Sequence, residues 1–254
     1  MYPTNKSVLQ LVSLLKAHGV KRYVISAGSR HKQIEIALGC DPFFEIYSVV
    51  DERSASFFAL GLIQKYDEPV GILCTSGTAS SNYCSAISEA YYQHLPLLVI
   101  TADKPPRIQD QQEDQMIHQI GQYASIAKFT TNLPEINSPS DEWHLNRLVN
   151  EALLELNHHG SGPVHINIPI ASYEDSFTTK ELPKCRLINR YDYASNCKEF
   201  ANCLLEKKIL IVGLGLMGGS YAKALKRFGF HISAITKEQS SIDYALNEKM
   251  IDAG

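Results

Sequence analysis

The feature that most constrains the fold is the repeated alternation of short apolar runs with longer helical stretches over the first two thirds of the chain. Apolar runs such as RYVIS at 22–26 and VGILC at 70–74 are bounded by glycine or small polar residues. These runs lack strict alternation of apolar and polar residues, which is typical of strands covered on both faces. The alternation therefore predicts an α/β fold with a doubly wound parallel sheet.

The same pattern predicts the element boundaries and the domain organisation. A domain is expected over 1–178, a linker with one helix (195–205) over 179–206, and a partial Rossmann-like segment over 207–254. We expect helices over 7–18, 32–38, 54–66, 79–92, 141–158 and 217–228, and strands over 22–26, 44–50, 70–74, 95–101, 164–168, 209–212 and 230–235.

Composition excludes several classes of protein. The chain has 24 Lys and Arg against 27 Asp and Glu, and this balance argues against a duplex nucleic-acid binder. No apolar run is long enough for a transmembrane helix, and the N-terminus does not read as a secretory signal. Six cysteines without a C-x-x-C pair predict reduced thiols, a cytoplasmic location and no metal site.

Three polar loops, at 28–30, 51–53 and 75–78, follow three different predicted strands. A parallel sheet brings such loops to one edge, where ligands of these folds bind. Glu52 precedes a helix, whose N-terminus favours a negative charge. On residues alone two simpler readings stay open, namely that Asp51 and Glu52 cap this helix and that 75–78 is an ordinary strand-to-helix turn.

Five segments in order resemble the pyrimidine-binding (PYR) domain of thiamine-diphosphate enzymes, and most closely the family of 2-succinyl-5-enolpyruvyl-6-hydroxy-3-cyclohexene-1-carboxylate (SEPHCHC) synthases of the menaquinone pathway. The resemblance covers about residues 1–180 and implies a PYR-type fold. The segments are AGSR (27–30), VVDERSASFFALGL (49–62), CTSGTASSNYCSAISEAYYQHLPLLVITADKPP (74–106), EDQMIHQIG (113–121) and NRLVNEALLELNHHGSGPVHINIPI (146–170).

This resemblance implies that thiamine diphosphate is the cofactor and that Glu52 is the catalytic acid. Glu52 would hydrogen-bond N1′ of the aminopyrimidine and favour the tautomer that removes the thiazolium C2 proton, so that a 2-oxo acid can lose CO2. In the synthases the donor is 2-oxoglutarate and the acceptor is isochorismate. The loop beside the pyrimidine would consist of Thr75, Ser76, Gly77 and Thr78, with Gln115 near cofactor and substrate.

The resemblance also implies substrate contacts from Ser29, Arg30, Gln115 and Lys104. Two departures from the family pattern leave the exact substrate open. Ala27 replaces the first proline of P-G-S-R, and Lys104 replaces the arginine of T-A-D-R-P. Lysine keeps the charge but loses the planar fork that binds a carboxylate through two hydrogen bonds.

The family binds the diphosphate and Mg²⁺ through a second domain with a G-D-G motif, which this sequence lacks. We therefore expect half of an active site, completed in a homodimer or by a partner chain that carries the diphosphate domain. The expected substrate is a small 2-oxo acid, with neither nucleic acid nor membrane as partner.

The second constellation is Gly213-x-Gly215-x-x-Gly218, placed between a predicted strand and helix as in dinucleotide-binding folds. Thr236 and Lys237 stand where NAD-binding proteins carry an acidic residue, which suits NADP better than NAD, or suits neither. Residues 207–254 resemble the N-terminus of prephenate dehydrogenase in ILIVGLGLMGGS, ALKR and YALNEKMIDAG. The alternative is that they begin the central domain that follows PYR in the synthases.

Three functions remain open from the sequence. The first is the PYR half of a thiamine-diphosphate-dependent synthase. The second is an NADP-dependent dehydrogenase fragment whose function lies in the C-terminal segment. The third is a non-catalytic binding module that keeps the fold without turnover.

Overall fold

The computed structural model describes residues 1–171, 176–190 and 208–254. The chain divides into two compact units, Met1–Asn189 and Arg190–Gly254, and the division falls within the linker predicted over 179–206. The helix predicted over 195–205 lies outside the described residues. Within the described residues, no helix combines the length and apolar character that crossing a bilayer requires.

The first unit is a parallel six-stranded sheet with helices on both faces, in the strand order β2-β1-β3-β4-β6-β5. This confirms the predicted α/β class and the parallel sheet. The strands are β1 (Arg22–Ile25), β2 (Glu45–Ser48), β3 (Val70–Cys74), β4 (Leu97–Asp103), β5 (Phe129–Asn132) and β6 (Val164–Pro169). The helices are α1 (Lys6–Ala17), α2 (Lys32–Gly39), α3 (Glu52–Tyr66), α4 (Thr78–Ser81), α5 (Cys84–Tyr92) and α6 (Pro139–Glu155), with a 3₁₀ turn at Pro106–Ile108.

The central strands are buried on both faces because successive side chains point to opposite sides of the sheet. In β3, Leu73 packs with α1, α2 and α6, whereas Ile72 and Cys74 pack with α3 and α5. The two helical layers thus cover one sheet from both sides. This is why β3 and β4 are apolar at nearly every position.

A large aromatic side chain lies over a glycine in the middle of the sheet. A Cβ built on Gly71 in β3 would be 2.2 Å from the ring of Tyr23 in the neighbouring strand β1. Tyr23 is fully buried, and its ring meets that of Phe44 edge to face with 5.7 Å between centroids. The missing side chain at position 71 therefore provides the space that the phenol ring fills.

Lys128 closes the C-terminal end of α6. Its Nζ donates to the carbonyl oxygens of Glu155 at 2.8 Å and His158 at 2.6 Å, and also to that of Gly160. The last carbonyl groups of a helix have no partner within the helix, and a cation there also meets the negative end of the helix dipole.

Two elements of the first unit differ from the sequence prediction, and the helix Gln239–Asn247 of the second unit was not predicted. The helix expected over 79–92 is split into α4 and α5, because the Ser80 carbonyl accepts from Tyr83 N–H at 3.1 Å and from the Tyr123 hydroxyl group, which leads the chain out of α-helical geometry. The edge strand β5 was not predicted, since its sequence FTTN is short and mostly polar.

The second unit contains a parallel strand pair and two helices: β7 (Ile209–Val212), α7 (Leu216–Lys226), β8 (Ile232–Ile235) and α8 (Gln239–Asn247). Its small core gathers apolar side chains of β8, both helices and the segments beside them, including Ala222, Phe230, Ile232 and Ile242. In β7, Leu210 and Val212 alternate with half-buried neighbours and are exposed.

Candidate functional site

The strand order predicts the candidate site at the carboxyl ends of β1 and β3. The chain runs from β1 to β2 on one side and then returns to β3 on the other side of β1. Sheets of this kind bind ligands in a crevice at this switch of direction, and this region is called the crevice below. The loops that follow these two strands are in contact, because a Cβ built on Gly28 would lie 2.5 Å from the Cβ of Thr75.

The two carboxylates at the start of α3 have different surroundings. Asp51 caps the helix, since its Oδ1 accepts from the backbone N–H of Ser54 at 2.7 Å. Glu52 is half-buried, and its Oε2 accepts from Asn82 Nδ2 at 3.3 Å, beyond the loop that follows β3. Burial raises the pKa of the neighbouring Cys74 thiol, and the Glu52 charge adds to this rise. The capping role thus belongs to Asp51, and Glu52 is turned toward the predicted cofactor loop.

The loop after β3 has a buried floor and one exposed side chain. Thr75 and Ser76 are buried, whereas Thr78 is exposed at the start of α4. Between them, Gly77 has φ +79° and ψ −140°, a conformation that is open essentially only to glycine. A Cβ built on Gly77 would lie 2.6 Å from the carbonyl oxygen of Gln115. Gly77 therefore lets the backbone of Gln115 lie directly against the turn.

The structure reveals a polar residue that the sequence prediction missed. Gln119 is fully buried, and its Oε1 accepts from the backbone N–H of Gly77 at 2.7 Å. Its Nε2 donates to the carbonyl oxygen of Ala102 at 3.1 Å and to Oδ1 of Asn167 at 2.9 Å. A glutamine within a loop gives no sequence signal for such a role, because its partners come from three distant segments.

The network continues from Asn167 through the ends of β4 and β6. Asn167 Nδ2 donates to Asp103 Oδ2 at 2.8 Å, and burial raises the pKa of Asp103. The Thr101 hydroxyl donates to Asn167 Oδ1 at 2.7 Å, so its oxygen accepts from Nε2–H of His165 at 2.7 Å. This pattern assigns His165 the neutral tautomer with its proton on Nε2. Complete burial lowers the pKa of His165 to about 3.

The predicted substrate residues lie in two kinds of environment. Ser29 is exposed, whereas Arg30 is buried and its Nη1 donates to the carbonyl oxygen of Ile170 at 2.8 Å. Lys104 is also buried, and its Nζ binds Glu113 Oε2 at 3.2 Å and Asp114 Oδ1 at 3.0 Å. The hydrogen bond from Lys104 lowers the pKa of Asp114. A substrate role for Lys104 would require a ligand carboxylate to replace these partners.

Gln115, predicted to lie near cofactor and substrate, has an exposed side chain and a positive φ of 50°. Its backbone contact with Gly77 brings it to the crevice that Glu52 and Thr78 border. The structure thus gathers Glu52, the turn at 75–78 and Gln115, with Arg30 and Lys104 in the segments that follow β1 and β4. Their roles in binding remain predictions.

The glycines of the second unit form a strand-to-helix turn. Gly213 has φ +92°, and its N–H donates to the carbonyl oxygen of Ile235 at 2.7 Å. A Cβ built on Gly218 would lie 1.9 Å from the carbonyl oxygen of Gly213, so only glycine fits there. A cleft of about 550 Å³ lies against Gly213 and Gly215 and is also lined by residues 236–238. Glu238 adds a carboxylate to this cleft beside the predicted Thr236 and Lys237.

Comparison with known proteins identifies one matching family and a set of similar synthases. Residues 7–122 match the family described as thiamine pyrophosphate enzyme, N-terminal TPP binding domain. SEPHCHC synthase of Bacteroides thetaiotaomicron is 47% identical over 219 residues, which cover 84% of this chain and 40% of that protein. The synthase of Bacteroides fragilis is 51% identical over 191 residues, 75% of this chain and 34% of that protein. The synthase of Desulfotalea psychrophila is 46% identical over 155 residues, 61% of this chain and 29% of that protein. The chain therefore spans less than half the length of these relatives.

We predict that Gly77→Ala lowers the free energy of unfolding by about 3 kcal/mol, because a methyl group at positive φ would strike the carbonyl oxygen of Gln115. Gly121→Ala is the matched control. Gly121 has a similar φ of +75° but nothing within 4 Å of its built Cβ, so its substitution should cost about 1 kcal/mol. Urea unfolding of both variants measures the difference, and equal costs would contradict the close contact.

A pH dependence follows from the buried histidines. The pKa of His165 falls from 6.5 to about 3 and that of His31 to about 4, so the unfolded chain binds more protons than the native one at acidic pH. Their contribution to stability is complete above pH 6.5 and is lost as the pH falls toward these values, at about 1.4 kcal/mol per pH unit for each histidine.

His165→Gln retains a donor to Thr101 without a titrating ring, so its stability should decline less steeply between about pH 6.5 and pH 4. The measurement is urea unfolding across this range, with the exposed His118→Gln as the control for removing any histidine. The same steepness in His165→Gln and in the unsubstituted chain would contradict the prediction.

Proposed function

We propose that the first unit, whose residues 7–122 match the family of N-terminal TPP binding domains of thiamine pyrophosphate enzymes, supplies the pyrimidine-binding half of a thiamine-diphosphate site. The observation that carries this proposal is the position of Glu52. Asp51 caps α3, which leaves the Glu52 carboxylate beside the loop after β3, at the switch point of the sheet. Because Asp51 supplies the cap, α3 does not need Glu52 for that role.

The residues around the crevice fit an aminopyrimidine ring. Gly77 has no side chain and forms part of a buried floor with Thr75 and Ser76, while Thr78 and Gln115 are exposed at its border. A flat ring needs such a smooth floor and a few polar groups at its edge. Glu52 is half-buried, so its carboxyl group can reach a ligand and still lie in surroundings drier than bulk water.

Thiamine diphosphate supplies the electron sink that a 2-oxo acid needs to lose CO2. The contribution of this chain would be to bind and orient the aminopyrimidine and to present the Glu52 carboxyl group to its ring nitrogen, with which it would share a proton. A carboxyl group whose proton is shared with a bound base acts as a general acid or base. The floor at 75–77 and the Gln115 segment would exclude water from one side of that hydrogen bond.

The reaction class we propose is the decarboxylating synthesis carried out by SEPHCHC synthases, with a 2-oxo acid as donor. The identity to these synthases and the basic residues near the crevice support it, because Arg30 and Lys104 suit a substrate with carboxylate groups. Diphosphate and Mg²⁺ would be bound by a second domain, in a homodimer or on a partner chain.

The test is calorimetric titration with thiamine diphosphate and Mg²⁺, with and without the remaining part of the Bacteroides thetaiotaomicron synthase as the complementing chain. We expect binding and 2-oxoglutarate decarboxylation only in the complemented sample. Glu52→Gln should lower the decarboxylation rate by about 100-fold or more, because the proton donor is lost.

Glu142→Gln, in the first turn of α6, is the control for a carboxylate at a helix N-terminus and should leave the rate unchanged. Robust turnover by the chain alone would contradict the division of the site, and an unaffected Glu52→Gln would contradict the role of Glu52.

We propose a second candidate function for the second unit, the binding of NADP(H) as in a dehydrogenase. The close approach of Gly218 to the Gly213 carbonyl and the adjoining cleft support this, since dinucleotide sites need a turn free of side chains at the helix N-terminus. Lys237 in this cleft would pair with the 2′-phosphate.

We expect Lys237→Ala to weaken NADPH binding by about tenfold in a fluorescence titration and to leave NADH binding unchanged, because only NADPH carries that phosphate. The exposed Lys208→Ala is the control. Binding of neither nucleotide would contradict this function. If thiamine diphosphate also failed to bind, a non-catalytic binding module would remain.

A further inference from the structure

We propose that Gln119 is a positioning residue, whose buried amide fixes the turn at Gly77 and the segment of Gln115 as one unit at the edge of the crevice. The inference rests on the proposed function, in which this unit forms the pyrimidine side of the cofactor site. Gln119 itself has no exposed surface and does not contact the crevice. It would act through the backbone of Gly77.

The orientation of the Gln119 amide is fixed by two backbone groups. The N–H of Gly77 can only donate and the carbonyl of Ala102 can only accept, so the amide oxygen must face Gly77 and the amide nitrogen must face Ala102. A flipped amide would place donor against donor and acceptor against acceptor. The hydrogen bond to Gly77 is thus directed by the end of β4, a rigid part of the sheet.

A second set of contacts holds the same orientation. Asn167 Oδ1 accepts from Gln119 Nε2 at 2.9 Å, and its own Nδ2 donates to Asp103 Oδ2 and to Asn132 Oδ1, each at 2.8 Å. The orientation of the Gln119 amide fixes that of Asn167, because the Asn167 oxygen must face the Gln119 nitrogen. The Asn167 nitrogen then donates to the oxygen atoms of Asp103 and Asn132. The chain of bonds therefore connects strands β4, β5 and β6 to the turn after β3.

The turn at Gly77 in turn determines where Gln115 lies. The Gln115 backbone packs where a Cβ of residue 77 would be, and Gln115 is only four positions before Gln119. If the amide of Gln119 were removed, the Gly77 N–H would be buried without its partner and the turn could rotate. Thr78 and Gln115 would then lose their common placement beside Glu52.

The experiment compares Gln119→Ala and Gln119→Glu with the unsubstituted full-length chain. The first readout needs no ligand and is the hydrogen-exchange protection of the Gly77 amide. We expect Gln119→Ala to lower this protection by about tenfold or more, because the acceptor is lost. The second readout is thiamine diphosphate affinity in the complemented sample, which should weaken by about tenfold.

Gln119→Glu distinguishes a hydrogen-bonding role of Gln119 from a role in packing alone, since packing alone would give no pH dependence. The introduced carboxylate has the same size but cannot donate to Ala102 or Asn167, and these acceptors would disfavour its charged form. Repulsion by these two oxygen atoms would move the charged side chain away from the Gly77 N–H, so protection at Gly77 should be low near about pH 8 and recover near about pH 6, where protonation restores one donor. The protection is corrected for the intrinsic pH dependence of exchange. If Gln119→Ala does not fold, the pH dependence of Gly77 protection in Gln119→Glu is sufficient to test the proposed role of Gln119.

Gln122→Ala is the matched control. Gln122 lies three residues on and bonds Ser80 Oγ at 2.8 Å and Ser81 Oγ at 3.2 Å but not Gly77, so both readouts should stay within about twofold of the unsubstituted chain. Unchanged Gly77 protection in Gln119→Ala, or a Gln119→Glu variant without pH dependence, would overturn the inference. Failure of the unsubstituted complemented chain to bind thiamine diphosphate would instead refute the proposed function, and the Gly77 readout would still decide the role of Gln119.

Discussion

The candidate site depends on the close approach of two backbone segments at Gly77. A side chain at this position would collide with Gln115, and the positive φ is one that residues with a Cβ adopt only at a cost. The loop after β3 and the segment at 113–119 can therefore meet only because residue 77 is glycine. Their contact joins two loops from distant parts of the chain into one border of the crevice.

The charged side chains around the crevice differ in their hydrogen-bond partners. These partners indicate which side chains have a structural role and which could bind a ligand. Asp51 is engaged with the backbone of α3, and Lys104 is engaged with the carboxylates of residues 113 and 114. Among the hydrogen bonds described for the Glu52 carboxylate, there is a single side-chain donor, the amide of exposed Asn82. A buried polar group is costly unless its bonds are satisfied, which explains why Gln119, Asn167 and Asp103 form a connected set. Asp51 and Lys104 are thus committed to protein partners, whereas Glu52 is the carboxylate of this set with the fewest described hydrogen bonds.

Most of the architecture could be predicted from the sequence because apolar runs without alternation report burial on both faces of a strand. The prediction of helices and strands failed where tertiary contacts, and not the local sequence pattern, determine the backbone conformation. Strand β5 is polar and lies at the sheet edge, and the break between α4 and α5 depends on Tyr123, some 40 residues away. The meeting of the loops after β1, β2 and β3 followed from the parallel sheet alone. Gln119 could not be predicted, because its role comes from the atoms around it and not from any repeating pattern.

The ring of Tyr23 over Gly71 has a consequence for how this sheet can change during evolution. Any side chain at position 71 would overlap the phenol ring, and loss of the ring would leave a cavity beside Phe44. Each substitution alone is therefore harmful, whereas a paired exchange that moves bulk from one strand to the other could conserve the total volume. The two positions form a coupled pair across adjacent strands, and drift at either one is limited by the state of the other.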